Sequence, residues 1–502
     1  MTSYSIDELS QMAGAILHPG SSVCNEINYL LYDSRKLSQP NVTLFVAIKT
    51  SRNDGHKFIQ SLYQNGVRNF LVETLPTSEK YEEANFLVVK NTLIALQQIA
   101  ASHRKKFTFP IVGITGSNGK TIVKEWLFSL LKADFNISRS PKSFNSQLGT
   151  ALSLWNLNDQ NTLAIIEAGI SLRGEMAQLQ KMILPNSGIF TNIGSAHGEN
   201  FSDIDEKILE KLTLFVQVDL LIYCADHHRI AAKIKEHHKG QTFTWGFQNS
   251  ANVTVKATNL PQVFMVKFQG SSFSVKLPFS DQASIENAMH CVAWMLAHQY
   301  SPQTIINRIG KLDAPEMRLQ ILQGKNNCTL INDAWIADLD SLQIALQALS
   351  QQPGNLTKTV ILSDILESGI VPETLYKEVA ELLNAQKVSK LIGVGEIISE
   401  KMQDFGGEKY FFHSTEALIN SLPILQFHNE AILLKGARIF EFENVASALQ
   451  LKTHETVLEI NLSHLIHNLN YYRSKLPAQV KMMAMVKAFS YGTGSIEVAN
   501  AL

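Results

Sequence analysis

A glycine-rich loop between an apolar run and a helical pattern constrains the fold of this chain most. Residues 109–114 (FPIVGI) predict a buried strand, and residues 113–121 read GITGSNGKT. Apolar side chains then recur at helical spacing over residues 122–131. A strand followed by a glycine turn and a helix N-terminus can present backbone N–H groups to a polyphosphate. We therefore predict a parallel α/β fold that binds ATP at this loop; the alternative is a glycine-rich turn before an ordinary helix.

The loop departs from the strict phosphate-loop spacing. The strict pattern has four residues between its first glycine and the Gly-Lys pair, whereas five residues separate Gly113 from Gly119. A gapped form remains, in which Lys120 would reach the terminal phosphates and the Thr121 hydroxyl would bind Mg²⁺. The predicted nucleotide-binding residues of the loop are Gly116, Ser117, Asn118, Gly119, Lys120 and Thr121.

The bulk properties indicate a soluble multidomain protein. A chain of 502 residues with 45% apolar residues is too long for one core and predicts roughly three domains. A net charge of −1 offers no electrostatic basis for binding nucleic acid or an anionic membrane. The four cysteines are far apart, no leader-like N-terminus is present, and no run reaches the length of a membrane span. We expect a cytoplasmic protein without membrane insertion.

Several further motifs accompany the loop in a fixed order. They are DSR at 33–35, NDGHKF at 53–58, SFNSQLG at 143–149, EAG at 167–169 and NIGSAHGE at 192–199. Together with the gapped loop, these motifs resemble the Mur ligase family. The resemblance implies an α/β protein with three domains: a small UDP-sugar-binding domain at 1–107, a central ATP-binding parallel-sheet domain at 108–312 and a C-terminal Rossmann-like domain at 313–452.

The resemblance also implies which residues contact the nucleotide sugar and the metal. Ser34 and Arg35 would contact the UDP-sugar, since a guanidinium suits a diphosphate. Glu167 and His197, each after a predicted strand, would join Thr121 in holding Mg²⁺.

Lys211 has two interpretations. By the resemblance, its amine takes up CO₂ and the resulting carbamate becomes an oxygen ligand for a second Mg²⁺. Lys120, His197 and Lys211 would then be the catalytic residues. The alternative is an ordinary charged helix face, because residues 206–212 (EKILEKL) alternate acidic and basic side chains one turn apart.

Further contacts with substrate and nucleotide follow from the resemblance. The implied substrate contacts are Asn145, Ser146, Lys435 and Arg438; the implied nucleotide contacts are Asn287, Arg318 and Asp333. Arg318 could equally be an exposed linker arginine. Ser146 stands where the family has an asparagine, and Asn287 lacks the usual preceding His-Asn. The family's Asp-x-Tyr-Asn-Ala-Asn-Pro reads DAWIADL at 333–339, so only Asp333 is carried over from that segment.

The implied reaction is ATP-dependent addition of D-alanyl-D-alanine to UDP-N-acetylmuramoyl-tripeptide through an acyl phosphate, by a ligase that we expect to be monomeric. The third residue of the tripeptide stays open between lysine and diaminopimelate. Other readings are a Mur ligase that adds the third residue, a folyl-polyglutamate synthetase, a P-loop ATPase or GTPase, and a nucleotide-binding module without turnover.

The last fifty residues change character. Residues 457–472 predict a strand and a helix, and residues 482–486 predict a second strand that ends at Lys487-Ala488. With YGTG at 491–494, this segment resembles the start of an alanine racemase, in which Lys487 would form the Schiff base with pyridoxal phosphate. That fold is a barrel of about 200 or more residues. We therefore expect an incomplete barrel segment over 453–502, with pyridoxal phosphate and racemase activity only in a longer fusion.

Overall fold

The computed structural model describes the chain except for short segments. The residues outside the description are 1, 22–25, 51–52, 77–80, 195–199, 249–250, 280, 314–319, 335–336, 353–355, 367, 403, 452–459, 478–479, 488–495 and 502. The chain divides into two compact units, residues 1–103 with 452–502 and residues 104–451. The domain boundaries at 107, 312 and 452 stay predictions.

The first unit contains a five-stranded sheet in the order β1-β5-β4-β3-β2, in which only β1 is antiparallel to its neighbour. Its strands are β1 (Ile16–His18), β2 (Tyr29–Leu31), β3 (Thr43–Val46), β4 (Asn69–Val72) and β5 (Asn85–Val88). The accompanying helices are α1 (Ile6–Ala13), α2 (Ile59–Gln64) and α3 (Thr92–Arg104). β3 and β4 are buried along their whole length, which explains the three apolar residues that follow the first residue of each.

The central sheet of the second unit has nine strands in the order β14-β13-β12-β11-β10-β9-β6-β8-β7. The strands are β6 (Ile111–Thr115), β7 (Ile137–Arg139), β8 (Leu163–Glu167), β9 (Ser187–Phe190), β10 (Leu220–Cys224), β11 (Gln241–Gly246), β12 (Val253–Ala257), β13 (Val263–Phe268) and β14 (Ser271–Lys276). The helices are α4 (Lys120–Leu131), α5 (Gln147–Trp155), α6 (Glu175–Ile183), α7 (Ile204–Leu212), α8 (His228–His237), α9 (Gln282–Ala297) and α10 (Pro302–Ile309).

The strand order of the central sheet indicates where a ligand crevice lies. β6 lies between β8 and β9 and is parallel to both, so the chain leaves β6 towards one side of the sheet and later returns on the other. Ligands bind at such a switch point, beyond the carboxyl ends of the strands. The glycine-rich loop, Glu167 and the segment after β9 all lie at this end of the sheet.

The C-terminal sheet of the second unit has six strands in the order β15-β16-β20-β17-β18-β19, and only β15 is antiparallel to its neighbour. The strands are β15 (Gln320–Gln323), β16 (Thr329–Asp333), β17 (Thr357–Ser363), β18 (Lys390–Val394), β19 (Glu408–Phe412) and β20 (Glu430–Lys435). The helices are α11 (Leu339–Ser350), α12 (Pro372–Ala385), α13 (Glu396–Lys401), α14 (Thr415–Leu425) and α15 (Glu443–Leu449). Apolar clusters pack against both faces of this sheet, as a parallel sheet requires.

The last residues form two helices, α16 (Leu462–Ser474) and α17 (Ile496–Ala501). The strand predicted at 482–486 is wrong: these residues have no strand conformation, and Met483 and Met485 are 97% and 65% exposed. A strand needs a neighbour to receive its backbone hydrogen bonds, and no described strand pairs with this segment. The other predicted strand of this region, at 457–462, lies largely outside the described residues.

No helix in the described part of the chain combines the length and apolar character that crossing a membrane requires.

Candidate active site

The loop between β6 and α4 needs glycine at two positions. Gly116 has φ +145°, and a Cβ there would lie 2.0 Å from Thr191 Oγ1. Gly119 has φ +81°, and a Cβ there would lie 2.2 Å from Asn287 Oδ1. Both backbone conformations are strained for other residues. The gapped pattern therefore reflects two close approaches, one to the segment after β9 and one to α9.

The segment after β9 braces the loop. The backbone N–H of Ser117 donates to Asn192 O at 2.9 Å, and that of Asn118 donates to Asn192 Oδ1 at 2.8 Å. The Thr191 hydroxyl donates to Asn118 O at 2.6 Å. Asn192 and Thr191 thus shape the loop, although the sequence pointed to Asn192 only as the first residue of the NIGSAHGE motif and assigned no role to Thr191.

A buried histidine fixes the segment in turn. His290 accepts a hydrogen bond from Trp245 Nε1 at 3.0 Å on Nδ1, so its Nε2 carries the proton towards Thr191 O, 3.1 Å away. Burial, with a smaller effect of His227, lowers the pKa of His290 to about 3. The neutral imidazole therefore holds Thr191 against Gly116 over the physiological pH range.

Two predicted catalytic lysines meet at one carbonyl. Lys120 Nζ donates to Gly116 O at 3.0 Å and to Ser117 O at 2.8 Å. Lys211 Nζ, from α7, donates to the same Gly116 O at 3.1 Å. The two amines therefore lie beside one another at the mouth of the loop.

The alternative reading of Lys211 as part of a solvated charged face is wrong. Lys211 and Lys207 are each only 3% exposed, because this side of α7 faces the loop. Burial, followed by the nearby ammonium groups of Lys120 and Lys207, lowers the pKa of Lys211 well below that of an ordinary lysine. A lowered pKa increases the neutral fraction of the amine, and only a neutral amine can attack CO₂.

Oxygen ligands suited to Mg²⁺ meet at the end of β8. The Thr121 hydroxyl donates to the two Glu167 carboxylate oxygens at 2.9 and 3.0 Å, and Asn145 Nδ2 donates to Glu167 Oε1 at 2.7 Å. Glu167 is fully buried, and the buried Lys124 lies 3.8 Å from it. Lys124 also donates to Ser140 O at 2.7 Å. No role for Lys124 was predicted from the sequence; the signal that could have found it is its position one turn after Thr121 on α4.

A magnesium ion fits this donor set. Mg²⁺ takes one or two protein carboxylates and completes its octahedron with water and phosphate oxygens. Among the described residues no three His, Cys, Asp or Glu side chains gather into a ready metal site, whereas a hydroxyl and a carboxylate beside a phosphate loop are what a nucleotide-bound Mg²⁺ uses.

A cavity of about 440 Å³ brings together seven of the predicted residues. Its lining includes Gly116, Ser117, Lys120, Asn145, Ser146, Lys211 and Arg438. Ser146 also caps α5, because its Oγ accepts from the backbone N–H of Gly149 at 3.2 Å. Arg438 follows β20, so both sheets of the second unit contribute to this wall.

Two residues predicted to have separate roles form an ion pair. Asp333 ends β16 and Lys435 ends β20, and the two residues are register partners in the sheet. Lys435 Nζ donates to Asp333 Oδ2, and both residues are buried. The pair therefore places two opposite charges at the carboxyl edge of the C-terminal sheet.

Asn287 lies in the second turn of α9 and not at the start of a helix, as the sequence suggested, because α9 begins at Gln282 with Asp281 as its cap. Its buried side chain lies against Gly119. His197 and Arg318 lie outside the described residues, as do Trp335 and Ile336. Lys487 is exposed, and the predicted pyridoxal phosphate site around it falls largely outside the description.

The motifs of the first unit divide into a cavity and a structural turn. Ser34 and Arg35 line a cavity of about 1090 Å³. Arg35 pairs with Asp33 through two bonds of 2.9 Å, and this hydrogen bonding lowers the pKa of Asp33. His56 contacts Asp54 at 2.6 Å through Nδ1 and accepts from the Glu73 backbone N–H at 2.9 Å through Nε2. The NDGHKF motif thus stabilises the turn before α2.

Comparison with known families agrees with this geometry. Residues 114–295 match the Mur ligase middle domain, and residues 26–104 match the Mur ligase family, catalytic domain. The chain carries the domains of a Mur ligase. Residues 460–502 match the alanine racemase N-terminal domain, which confirms that racemase-type sequence follows the Mur ligase part.

Curated and solved Mur ligases are similar along most of the chain. The UDP-N-acetylmuramoyl-tripeptide–D-alanyl-D-alanine ligases of Bacillus subtilis and Escherichia coli are 26% and 28% identical, each over 83% of this chain and 92% of the relative. A crystal structure of MurF from Acinetobacter baumannii has a TM-score of 0.77 at 25% identity, over 89% of this chain and 98% of that one. MurF ligase from Thermotoga maritima, solved in complex with ADP, shares the fold with a TM-score of 0.71 at 21% identity, over 84% of this chain and 96% of that one. The predicted α/β Mur ligase fold is confirmed.

Proposed function

We propose that this chain is an ATP-dependent ligase that adds D-alanyl-D-alanine to UDP-N-acetylmuramoyl-tripeptide in peptidoglycan synthesis. The observation that carries the proposal is the convergence of Lys120, Lys211 and Arg438 on one cavity, beside the Thr121–Glu167 pair. The cations Lys120 and Arg438, the buried amine of Lys211 and a carboxylate-hydroxyl pair suit a reaction in which a phosphoryl group moves to a carboxylate. The curated relatives named above carry this activity in their names.

The reaction needs two balanced steps. The tripeptide carboxylate attacks the γ-phosphorus of ATP, and the bond between this phosphorus and the β–γ bridging oxygen breaks. ADP is released, and an acyl phosphate is formed on the tripeptide. The amine of D-alanyl-D-alanine then attacks the acyl carbon, loses a proton and expels inorganic phosphate as the peptide bond forms. Neither step requires a covalent nucleophile from the protein, so the chain contributes positioning and charge neutralisation.

Each residue of the cavity has a role in this scheme. Lys120 would release its bonds to Gly116 O and Ser117 O and reach the terminal phosphates. Gly116, Ser117, Asn118 and Gly119 would shape the cradle, and Asn287, packed against Gly119, would face the nucleotide. Asn145 would meet the peptide, Arg438 the carboxylate side of the substrate, and Ser146 would lie on the same wall. Lys435 is only 1% exposed, and its proposed contact with the substrate would require its side chain to leave Asp333. Asp333 keeps Lys435 in place.

We assign Mg²⁺ to Thr121 and Glu167, with His197 as a predicted further ligand outside the described residues. Bound Mg²⁺ would neutralise charge on the phosphate oxygens. We also propose that Lys211 is carbamylated, because burial favours its neutral amine and the carbamate would add an anionic oxygen ligand. Arg318 keeps its predicted phosphate contact.

We assign the nucleotide sugar to the first unit, where Ser34 and Arg35 line the larger cavity. The guanidinium of Arg35 is 87% exposed and could exchange Asp33 for a diphosphate. A cytoplasmic location and a monomeric ligase part belong to the same proposal. We propose that Lys487 forms the Schiff base with pyridoxal phosphate in a fusion that carries a complete racemase domain.

Product analysis tests the proposed reaction. Incubation with ATP, Mg²⁺, UDP-N-acetylmuramoyl-tripeptide and D-alanyl-D-alanine should give, by mass spectrometry, the tripeptide substrate extended by one dipeptide. Lysine- and diaminopimelate-containing tripeptides should be compared in parallel. Extension by a single amino acid in place of the dipeptide would contradict the assignment and favour a different Mur ligase.

A further inference from the structure

A second buried lysine of α7 lies beside the phosphate loop without a role in the scheme above. Lys207 is 3% exposed, and its Nζ donates to Gly194 O at 2.6 Å. Ser117 of the loop also donates to Gly194 O, from its Oγ at 3.4 Å. Gly194 is therefore a shared contact of the loop and Lys207.

The C-terminal sheet region brings one carboxylate, Asp340, to the same glycine, and a second one, Asp338, that acts on the charge of Lys207. A Cβ on Gly194 would lie 2.6 Å from Asp340 Oδ2 and 3.6 Å from Ser117 Cβ. Asp338, two residues earlier, caps α11 through Oδ1, which accepts from the Ser341 backbone N–H at 2.9 Å. Asp338 is 4% exposed, and its Oδ2 accepts no hydrogen bond from any described residue. We call Lys207, Asp338 and Asp340 the Gly194 cluster.

The charges of the Gly194 cluster act on one another. Burial, and after it the Lys120 ammonium, lower the pKa of Lys207 to about 8, and Asp338 and Asp340 oppose this shift. A buried ammonium beside a second ammonium is costly unless carboxylates balance it. That balance exists only while the N-terminus of α11 lies against Gly194.

The aspartate at position 338 is a departure of this chain from the Mur ligase pattern. Asp338 stands where the Mur ligase pattern quoted above has its second asparagine. An aspartate there adds a buried negative charge, and Lys207 supplies the compensating positive charge from α7.

We propose that the Gly194 cluster is a charge clasp that holds the C-terminal sheet region against the phosphate loop and so positions the loop for nucleotide. Lys207 is a positioning residue in this scheme, because it acts through Gly194 and Ser117. The inference rests on the proposed nucleotide site. It assigns an inter-sheet role to residues that need not touch the substrates.

Removing the charges of Asp338 and Asp340 distinguishes the clasp from a purely electrostatic effect on nucleotide binding. By Coulomb's law alone, loss of two negative charges beside a polyphosphate strengthens nucleotide binding. Loss of a clasp weakens it. The variant D338N/D340N keeps the cap of α11, since asparagine caps as well as aspartate. Its affinity for MgADP therefore moves in opposite directions under the two views.

The experiment is isothermal titration calorimetry of MgADP with the full chain. We expect Kd to rise at least about fivefold in D338N/D340N and in K207M, equivalent to about 1 kcal/mol. The triple variant should be no worse than either, since both changes break one contact, and K207R should stay near wild type. K233M and D205N, which break the 3.4 Å pair of Lys233 and Asp205, are matched controls that should leave Kd unchanged.

Each other outcome has a defined meaning. Failure of the unaltered chain to bind MgADP would count against the proposed function itself. Binding by the unaltered chain, with equal or tighter binding by D338N/D340N, would overturn the clasp alone, as would multiplying effects in the triple variant. Loss of cooperative thermal unfolding in D338N/D340N would also overturn it, because the cluster would then serve the fold and not the loop.

Discussion

Replacing Gly119 by alanine tests whether the phosphate loop is shaped by its contact with α9. The backbone of Gly119 has φ +81° and ψ −14°, and it begins α4. A left-handed conformation costs alanine about 1–2 kcal/mol. The added Cβ would also lie 2.2 Å from Asn287 Oδ1, and Asn287 is buried, so overpacking adds about 1–3 kcal/mol. If this added strain is relieved by moving the loop, MgADP affinity falls by about 5–150-fold.

Gly174 provides a matched control for this substitution. It begins α6 with φ +79° and ψ −9°, and a Cβ there meets nothing within 4 Å. G174A therefore has the backbone strain of G119A without the collision. Urea unfolding and MgADP calorimetry of both variants measure the difference. Equal stability and equal MgADP affinity of G119A and G174A would refute the reasoning, because the contact with Asn287 would then have no energetic effect.

Four further predictions address the metal, the carbamate and the support of the loop. K211A should lose ligase activity and regain part of it with short carboxylic acids in the ADP-release assay, since the acid replaces the carbamate oxygens; unchanged activity would exclude a carbamate role. T121V should need about 10–100-fold more Mg²⁺ for half-maximal rate, with T121S close to wild type as the control. R104M should lower the free energy of unfolding by about 2–4 kcal/mol, because the buried guanidinium donates to Ile183 O, Phe107 O and Leu184 O at 3.1, 2.6 and 3.4 Å. The pKa of His290 in the folded protein lies near 3, below the unfolded value of about 6.5. The neutral imidazole therefore contributes fully to stability above about pH 6.5, and this contribution is lost as the pH falls from there towards about 3. H290Q should flatten that part of the curve of unfolding free energy against pH.

The sequence predicted the sheets of the second unit well because their central strands are buried on both faces. β6, β8 and β9 are buried along their whole length and mostly apolar, and the polar residues of the site lie at their carboxyl ends or in the loops after them. Parallel strands that alternate with helices leave few arrangements open. The chemistry of the site could then be located at the carboxyl ends of the strands before any coordinates were known.

Contacts between residues that are distant in the chain could not be predicted from the sequence. Nothing local shows that Lys207 and Lys124 are buried, since each is a lysine on a helix with charged neighbours. Their burial depends on which face of α7 and α4 meets the loop. The pairing of Asp333 with Lys435 likewise follows from strand order, because β16 and β20 are neighbours in the sheet and far apart in the chain.

The strand predicted at 482–486 shows a different limit. Its apolar run describes a side-chain preference, whereas a strand also needs a hydrogen-bonding neighbour. The described residues supply none for this segment.

The central claim is that the phosphate loop activates a carboxylate for attack by a dipeptide amine. Release of ADP from the purified chain, measured with a coupled assay, tests it most directly. The account predicts rapid release only when UDP-N-acetylmuramoyl-tripeptide and D-alanyl-D-alanine are both present, with loss in a Lys120→Met variant. ADP release at the same rate without the dipeptide would contradict the account and indicate an ATPase that performs no ligation.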